Sequence, residues 1–404
     1  MRATLLLLLM LVFTTGCPAN FIEAYEVAEP RLMGVRVEVD GDPTNPRPKL
    51  TQAFNLRQYL AVPAGALSPL ANRYSMLLAL CVGVRTAVGT RACVGDQTVT
   101  PTLTPVSDTE LLLGNIQLDP NALGLPVDTS TLDLSAVPGL TAVDRITVVG
   151  VFCVDGSPER VPNKTIQSDA PSDVFRCTND ATAMFPDPTT FTLSVFLDRG
   201  QPGDTNHNPS FRCDPATPTS ACGAGIAKAG ELQTGGPFVL VSPKPKQPGV
   251  VRNAVTWNPS TDPNTLPLTG CASNSDLLQV RSNEDEYVIR VRFDPDDRET
   301  YETEATLNGV KTLQSVRETL DLTSALTNKG GKLGEFESRL VGSQDDANAE
   351  ISVSYKPPKQ SDDPTENIPQ NGKLVRFYFT LRDQRGGGDY AMRELCLVPG
   401  ENQE

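Results

Sequence analysis

Residues 373–381, KLVRFYFTL, and residues 392–398, MRELCLV, are two apolar segments on either side of the glycine-rich stretch 382–388, RDQRGGG. Aromatic and branched aliphatic side chains favour β-strands. Glycine supplies the positive φ that a tight hairpin turn requires. The stretch therefore predicts a β-hairpin rather than a phosphate-binding loop, with a local salt bridge of Asp383 to a neighbouring arginine bracing the turn.

Segments of the same kind recur along the chain, separated by stretches that draw on its 31 Gly and 34 Pro. The predicted strands are residues 32–39, 75–82, 146–154, 191–197, 286–293, 318–326 and 349–355, together with the two segments above. Some alternate apolar and polar residues with a period of two, and others are continuously apolar. Residues 111–140 mix Leu with Pro, Gly and Asp, and we interpret them as a long connection with one short helix. Short strands at this spacing predict an all-β fold of antiparallel sandwiches.

Composition changes divide the chain. We predict a signal peptide at residues 1–16, a polar stalk at 17–30, a first β-sandwich domain at 31–200 and a second at 249–404. Between the two domains, residues 201–248 are rich in Gly, Pro, Thr and Ala, which is typical of a linker.

The first residues carry an export signal. Arg2 is followed by an apolar run over residues 4–13, which is too short for a transmembrane helix of about 20 residues and fits a signal peptide. Residues 14–17, TTGC, resemble the lipobox of bacterial lipoproteins, which implies lipidation of Cys17 and attachment to a membrane. Thr14 stands where that family usually has Leu. Pro18, in place of the Asp that retains such proteins at the inner membrane, favours the outer membrane by analogy.

The net charge of −14 makes nucleic-acid binding unfavourable, because phosphates repel an acidic chain. Beyond Cys17 the chain has an even number of cysteines, which in an exported protein predicts disulfides. These are Cys81, Cys93, Cys153, Cys177, Cys213, Cys222, Cys271 and Cys396. Eight cysteines allow 105 pairings. Pairing each cysteine with its nearest neighbour, the simplest scheme, gives Cys81–Cys93, Cys153–Cys177, Cys213–Cys222 and Cys271–Cys396.

A family resemblance runs through several motifs, most specifically over residues 317–398. The motifs are RETLDLTSALTNKGGKLGEFES, YKPP and FYFTLRDQRGGGDYAMRELCLV, with EPRLMGVRVEV and DTNHNPSF earlier in the chain. They resemble a group of lipoproteins abundant in myxobacteria and their relatives, in which Tyr390 is often Trp. The resemblance implies two immunoglobulin-like β-sandwich domains behind the signal peptide and stalk, in the cell envelope. It implies no activity.

Asp204, Asn206 and Asn208 alternate as D-x-N-x-N within the predicted linker. Oxygen ligands at alternating positions of a tight loop are how many calcium loops begin. The segment also resembles the calcium-binding linker of cadherins, with His207 where an Asp is expected. The alternative is an Asx-rich turn before Pro209, which needs no ion.

Catalytic signatures are sparse. His207 is the one histidine, and the sequence contains no GxSxG or HExxH motif. Trp257, the one tryptophan, is expected in the core, with a sugar-stacking platform as the alternative. We therefore expect a binding or structural module that engages an envelope protein or a polysaccharide, with no cofactor other than the candidate calcium. A hydrolase with an unrecognised site is the alternative from another class.

Overall fold

The structure is a computed structural model. It describes residues 26–27, 31–61, 74–86, 91–107, 109–119, 140–154, 156–166, 171–179, 189–200, 205–211, 235–245, 249–260, 266–282, 285–293, 297–307, 310–327, 333–336, 341–342, 350–359, 367–383 and 385–400. Within these ranges no helix has the length and apolar character needed to cross a membrane.

The described chain is built almost entirely from β-strands. In chain order they are β1 (Glu26–Val27), β2 (Arg31–Val39), β3 (Phe54–Ala61), β4 (Tyr74–Thr86), β5 (Arg91–Val99), β6 (Thr102–Ser107), β7 (Glu110–Ile116), β8 (Leu140–Val154), β9 (Gly156–Arg160), β10 (Phe175–Asn179), β11 (Thr189–Phe196), β12 (Phe238–Val241), β13 (Ala254–Thr256), β14 (Leu278–Arg281), β15 (Tyr287–Arg292), β16 (Thr300–Leu307), β17 (Val310–Arg317), β18 (Asp321–Thr327), β19 (Glu335–Phe336), β20 (Val341–Gly342), β21 (Glu350–Lys356), β22 (Lys373–Arg382) and β23 (Gly388–Val398). The described residues also contain a short helix, α1 (Pro171–Val174), and a 3-10 turn at Cys271–Ser273.

The N-terminal half contains two four-stranded antiparallel sheets, ordered β2-β3-β7-β6 and β11-β8-β4-β5. The two sheets share one apolar core, to which Leu56 and Leu113 contribute from the first sheet and Leu78 and Ile146 from the second. All four side chains are fully buried. Because strand side chains alternate between faces, each strand can give every second residue to this core. The arrangement is consistent with a β-sandwich.

The C-terminal half contains two larger sheets. One has the order β1-β18-β22-β23-β14, with β20 also on β18, and the other has the order β13-β12-β15-β21-β19. The outer pairs β1–β18 and β14–β23 are parallel, and the other pairs are antiparallel. Trp257 packs edge to face against Phe377 and Phe379 in a second core. A separate hairpin, β16–β17, forms a two-stranded sheet.

The predicted hairpin at residues 373–398 is confirmed, with a register from Lys373 opposite Leu397 to Arg382 opposite Gly388. The brace of its turn differs from the prediction. Asp383 Oδ1 accepts hydrogen bonds from the backbone N–H groups of Arg385 and Gly387, at 2.8 and 2.7 Å. A carboxylate that follows a strand reaches the backbone two residues on more directly than it reaches a side chain.

Two segments predicted as a stalk and a linker contribute strands. Glu26 and Val27, within the predicted stalk 17–30, pair with β18. The predicted linker 201–248 contains β12, whose four apolar residues pair with β15 and, except for Phe238, also with β13. Strand β1 has only two residues, and its partner β18 lies far along the chain, so local sequence does not reveal this pairing.

Two of the predicted disulfides are present, Cys153–Cys177 and Cys271–Cys396. Cys81 is also disulfide-bonded. The side chain of Cys93 and the whole of Cys213 and Cys222 lie outside the described part of the chain, as does Cys17. The first disulfide joins β8 to β10, and the second joins the 3-10 turn to β23.

Candidate functional site

Residues 205–211, TNHNPSF, run between the N-terminal and C-terminal halves, and we call them the junction segment. Two of the three predicted calcium ligands, Asn206 and Asn208, lie within it and are buried. Asp204 lies outside the described residues. The surroundings of this segment define the candidate site.

Asn208 bonds to both halves of the molecule. Its backbone N–H donates to the Thr44 carbonyl at 2.7 Å. Its side-chain Nδ2 donates to the carbonyls of Val37 and Pro43, at 2.9 and 3.2 Å. Its Oδ1 accepts from the backbone N–H of Gly388, at 3.0 Å, in the C-terminal half. The carboxamide therefore acts as a bridge, and these bonds account for an Asn at this position without an ion.

Asn206 faces the turn of the β22–β23 hairpin. Its Nδ2 donates to Asp383 Oδ2 at 3.0 Å, while its Oδ1 is buried and has no protein partner. Asp383 is itself buried, and this burial raises the pKa of its carboxyl, against hydrogen bonds from Asn206 and the turn backbone. The turn leaves no space for a larger residue at Gly387, where a Cβ would lie 2.3 Å from Asp383 Oδ2 and 2.9 Å from Pro209 Cδ.

Arg385 supplies a cation inside this junction. Its Nε donates to Glu318 Oε1 at 2.6 Å, its Nη1 donates to the Thr205 carbonyl at 2.7 Å, and its Nη2 pairs with Glu299. The guanidinium also stacks over the Tyr301 ring, with Cζ 4.6 Å from the centroid. One side chain thus joins the junction segment to the base of the β16–β17 hairpin. It occupies the centre of a group of oxygen acceptors, as a bound cation would.

Glu318 is the most deeply buried acid of this group, with no exposed surface. Burial raises the pKa of its carboxyl to about 7, because desolvation and the charges of Asp383 and Glu299 outweigh the stabilisation by Arg385. Its second oxygen, Oε2, is buried without a partner. The junction therefore contains a carboxyl that titrates near neutral pH.

His207 differs from its neighbours because its side chain is 65 % exposed. Its Nδ1 pairs with Glu299, which also binds Arg385. A catalytic histidine needs a nucleophile or a substrate within hydrogen-bond reach. Here the imidazole contacts a carboxylate that is already committed to a structural ion pair, so this geometry favours a structural role.

The end of the junction segment is fixed to the C-terminal half. The backbone N–H groups of Ser210 and Phe211 donate to Asp297 Oδ2 and Asp389 Oδ2, both at 2.9 Å. The Phe211 ring lies in the C-terminal core, with its centroid 5.1 Å from that of Phe238. Carboxylate acceptors and a buried aromatic ring thus hold the segment in place.

Beside the junction segment, an apolar seam joins the two halves. We define the seam as Val27, Met33, Ala61, Ala325 and Tyr378, with the partly buried Tyr390 and Met392 packed against them. Across it, the rings of Tyr59 and Tyr390 stack with centroids 4.5 Å apart and planes 13° apart. The Met33 carbonyl accepts from Arg382 Nη2 at 3.2 Å and from Thr380 Oγ1 at 3.4 Å. The seam combines apolar packing with backbone hydrogen bonds, so both halves contribute to one contact.

A row of charges continues this contact along β2. Arg36 Nη1 lies 3.4 Å from Asp389 Oδ1 in the C-terminal half, and Arg36 Nε lies 3.1 Å from Glu38 Oε1. Glu38 also pairs with Arg57 at 2.7 Å, and Arg57 in turn reaches Glu110 at 3.3 Å. Asp389 therefore binds both β2 and the junction segment.

The predicted candidates for ligand binding are only partly brought together. Asn206 and Asn208 lie in one segment, but the oxygen of Asn208 is used by Gly388. In the described residues, no cluster of three or more His, Cys, Asp or Glu side chains is arranged to hold a metal. Calcium binding stays a prediction, because it depends on Asp204.

Trp257 is buried, and its Nε1 donates to the Glu394 carbonyl at 2.8 Å, so it packs in the core and is not a sugar platform.

Sequence reasoning missed Glu318 and Asp389, and it considered Arg385 only as a brace of the hairpin turn. One signal was available: Asp383, Arg385 and Asp389 are concentrated around a turn between two strongly apolar strands. Charged side chains that become buried next to apolar strands are usually paired with an opposite charge or a hydrogen-bond partner. The identity of their partners was not visible in the sequence.

The described strands define this chain as an all-β protein built from several antiparallel sheets. No family model matches it, and no curated protein matches its sequence. Among solved structures it is similar to the crystal structure of red sea bream transglutaminase, with 8 % sequence identity and a TM-score of 0.17. The match covers 92 % of this chain and 32 % of the transglutaminase chain.

Proposed function

We propose that the chain is an exported lipoprotein, lipidated at Cys17 and held at the outer membrane, whose two immunoglobulin-like β-sandwich domains act as a binding or structural module. The lipobox-like TTGC and the myxobacterial resemblance support the anchor and the domain type. The observation that carries the proposed role is the junction, in which a buried segment, a built-in cation and an apolar seam join the two halves.

This junction favours a rigid body over two independently moving domains. Interfaces that are small and polar permit relative motion, whereas a buried apolar seam with satisfied hydrogen bonds resists it. The single side chain of Asn208 forms hydrogen bonds to Val37 in one half and to Gly388 in the other. A rigid pair of domains presents surface loops in a fixed arrangement, which suits recognition of an envelope protein or a polysaccharide.

A calcium-stiffened adhesion or carbohydrate-binding protein is the second candidate. The buried, unpartnered Oδ1 of Asn206 favours it, because that oxygen follows Asp204 by two residues and is free to accept a ligand. A hydrolase is the weaker alternative, since His207 pairs with a carboxylate that Arg385 already binds.

In-cell cross-linking followed by mass spectrometry tests the proposed role without presuming the class of partner. Wild-type protein should give reproducible cross-links to one envelope protein, or a ladder of polysaccharide-bearing species. Asn208→Ala, which loosens the junction while leaving surface loops unchanged, should weaken these cross-links. Cross-links confined to abundant neighbours, and equal in both proteins, would argue against a specific binding module.

A further inference from the structure

Two exposed valines lie next to each other in the connection between β12 and β13, residues 242–253, which we call the β12–β13 loop. Val250 and Val251 are 53 and 47 % exposed. The other large apolar side chains that are exposed among the described residues, Val106 and Leu268, are distant from them in the sequence. A single exposed apolar residue is ordinary on a protein surface, whereas a contiguous patch marks a contact surface.

The charge of this loop differs from that of the whole chain. Residues 232–261 include Lys244, Lys246 and Arg252 and contain no Asp or Glu, although the net charge of the chain is −14. The side chain of Lys244 is exposed. The valine pair is therefore accompanied by basic residues in a protein whose surface is otherwise rich in acidic ones.

Hydrogen bonds close the base of the loop. The backbone N–H of Ser242 donates to the Asn253 carbonyl at 2.7 Å, and the backbone N–H of Asn253 donates to Ser242 Oγ at 2.9 Å. Arg252 Nε donates to the Ser242 carbonyl at 2.7 Å. Because β13 is the outermost strand of its sheet, the loop is held at a corner of the C-terminal half.

Two exposed acidic side chains near this loop lie on the other side of β12. Strand β12 pairs with β15 on one side and with β13 on the other. Asp285 and Glu286 immediately precede β15. Val250 and Val251 precede β13, on the opposite side. The valine side of the loop is thus directed away from these two carboxylates.

We propose that the β12–β13 loop is a contact surface for an anionic phospholipid membrane, with Lys244 at the headgroups and Val250 and Val251 at the boundary with the acyl chains. An anionic membrane repels the rest of an acidic chain, so charge complementarity selects this loop. A protein partner is typically recognised through aromatic anchors, and residues 242–253 contain no aromatic side chain. The contact goes beyond the proposed anchor, because the folded chain makes it without acylation of Cys17.

Vesicle sedimentation of unacylated protein tests this contact. Residues 17–404 with Cys17→Ser include every residue that the structure describes and carry no acyl chain. At low ionic strength this protein should bind phosphatidylglycerol vesicles and should bind phosphatidylcholine vesicles much more weakly. Each basic side chain at an anionic surface raises the affinity about fivefold, so Lys244→Glu should weaken binding by at least about that factor.

Replacement of the valine pair, Val250→Ser with Val251→Ser, should also weaken binding to phosphatidylglycerol, because less apolar surface leaves water. The matched controls are Lys49→Glu and Val106→Ser, at exposed positions of the N-terminal half, and both should bind as the wild type does. Circular dichroism shows whether each variant is folded.

The result that overturns the inference is equal binding of the wild type to the two kinds of vesicle, or folded loop variants that bind phosphatidylglycerol as tightly as the wild type. Displacement from the vesicles by soluble polyglutamate, together with unchanged binding of the valine variant, would also overturn it and assign the loop to an acidic polymer. None of these results bears on the lipidation of Cys17, which metabolic labelling measures separately.

Discussion

The guanidinium of Arg385 and the carboxylate of Glu318 form a hydrogen-bonded ion pair, Nε to Oε1 at 2.6 Å, in which the glutamate side chain has no solvent exposure. The same guanidinium reaches the Thr205 carbonyl of the junction segment. A buried pair of this kind adds little beyond the cost of its desolvation, but removal of one partner leaves an uncompensated charge. The pair therefore makes the junction sensitive to single substitutions.

Arg385→Met should destabilise the protein by about 3–5 kcal/mol, because it leaves Glu318 and Glu299 buried or half-buried without their common cation. Urea unfolding measures the change. Arg176→Met is the matched control, since Arg176 pairs with Glu159 at 2.9 Å with both side chains about half exposed. The control should change stability by less than about 1 kcal/mol. Equal losses in the two variants would contradict the role assigned to Arg385.

The stability of the junction should depend on pH through Glu318. Its pKa rises from 4.5 in the unfolded chain to about 7 in the folded protein. Below about pH 4.5 the carboxyl is protonated in both states, so its contribution is fully present. As pH rises above 4.5, the unfolded chain loses this proton before the folded protein does. The free energy of unfolding therefore falls until pH has passed the folded pKa of about 7.

Urea unfolding of wild type and Glu318→Gln between pH 5 and 8 isolates this effect. The free energy of unfolding of the wild type, relative to that of the variant, should fall as pH rises. Glu159→Gln, which removes a carboxylate at an exposed position, is the matched control. A difference between wild type and Glu318→Gln that stays flat or rises with pH would show that the carboxyl is charged throughout.

How much of the fold and of the junction could be predicted from the sequence depends on how far apart in the chain the contacting residues lie. The β22–β23 hairpin was predictable, because its apolar segments and its glycine turn are adjacent in the chain. Strand β7 was not, since ELLLGNI precedes a Pro- and Gly-rich stretch and was assigned with it to a connection. The junction was least accessible: Asn206 and Asp383 are 177 residues apart, and Asn208 and Gly388 are 180 apart. Polar residues in a Gly/Pro-rich segment predict a turn by local rules, and only the tertiary fold reveals that they are buried.

The two disulfides should differ in their effect on stability. Cys271–Cys396 joins residues 125 apart and Cys153–Cys177 joins residues 24 apart. In the chain-entropy treatment a cross-link over the longer loop stabilises by about 5 kcal/mol and one over the shorter loop by about 3 kcal/mol. The double variant Cys271→Ala/Cys396→Ala should therefore unfold at lower urea than Cys153→Ala/Cys177→Ala. The reverse order would indicate that local packing, not loop closure, dominates.

All eight cysteines beyond Cys17 are expected in intramolecular disulfides. Mass spectrometry under non-reducing conditions, with an alkylating agent present at lysis, should detect no free thiol in protein purified from the envelope. Cys81 is disulfide-bonded, so the peptides to identify are those that carry its predicted partner Cys93 and the predicted bridge Cys213–Cys222. Two or more alkylated cysteines would overturn the four-disulfide framework.

Cys17→Ser should abolish lipidation and release the protein from the membrane fraction, because acyl chains bound to the thiol and the new amino terminus are the proposed anchor. Metabolic labelling with a fatty-acid analogue, followed by fractionation, measures both effects. Cys271→Ser is the matched control, since it removes a disulfide cysteine and should keep the label. A wild type that takes up no label would contradict the anchor.

The calcium hypothesis predicts a higher melting temperature in millimolar calcium than in chelator, because a ligand that binds only the folded state stabilises it by mass action. Asn206 Oδ1 is the open acceptor in the junction segment, and Asp204 would supply the charged donor. Asp204→Ala should remove most of the gain, and magnesium should substitute poorly because it requires a smaller, near-octahedral set of ligands.

Asp276→Ala, at an exposed position in the turn before β14, is the matched control and should keep the calcium response. The alternative to calcium is that Arg385 is the cation of the junction. Its guanidinium contacts Glu318, Glu299 and the Thr205 carbonyl. If that guanidinium by itself balances the charge of the junction carboxylates, melting curves in calcium and in chelator will coincide. Asn206 and Asn208 would then serve only to hold the segment between the two halves, and Arg385→Met would lower the melting temperature equally in both buffers.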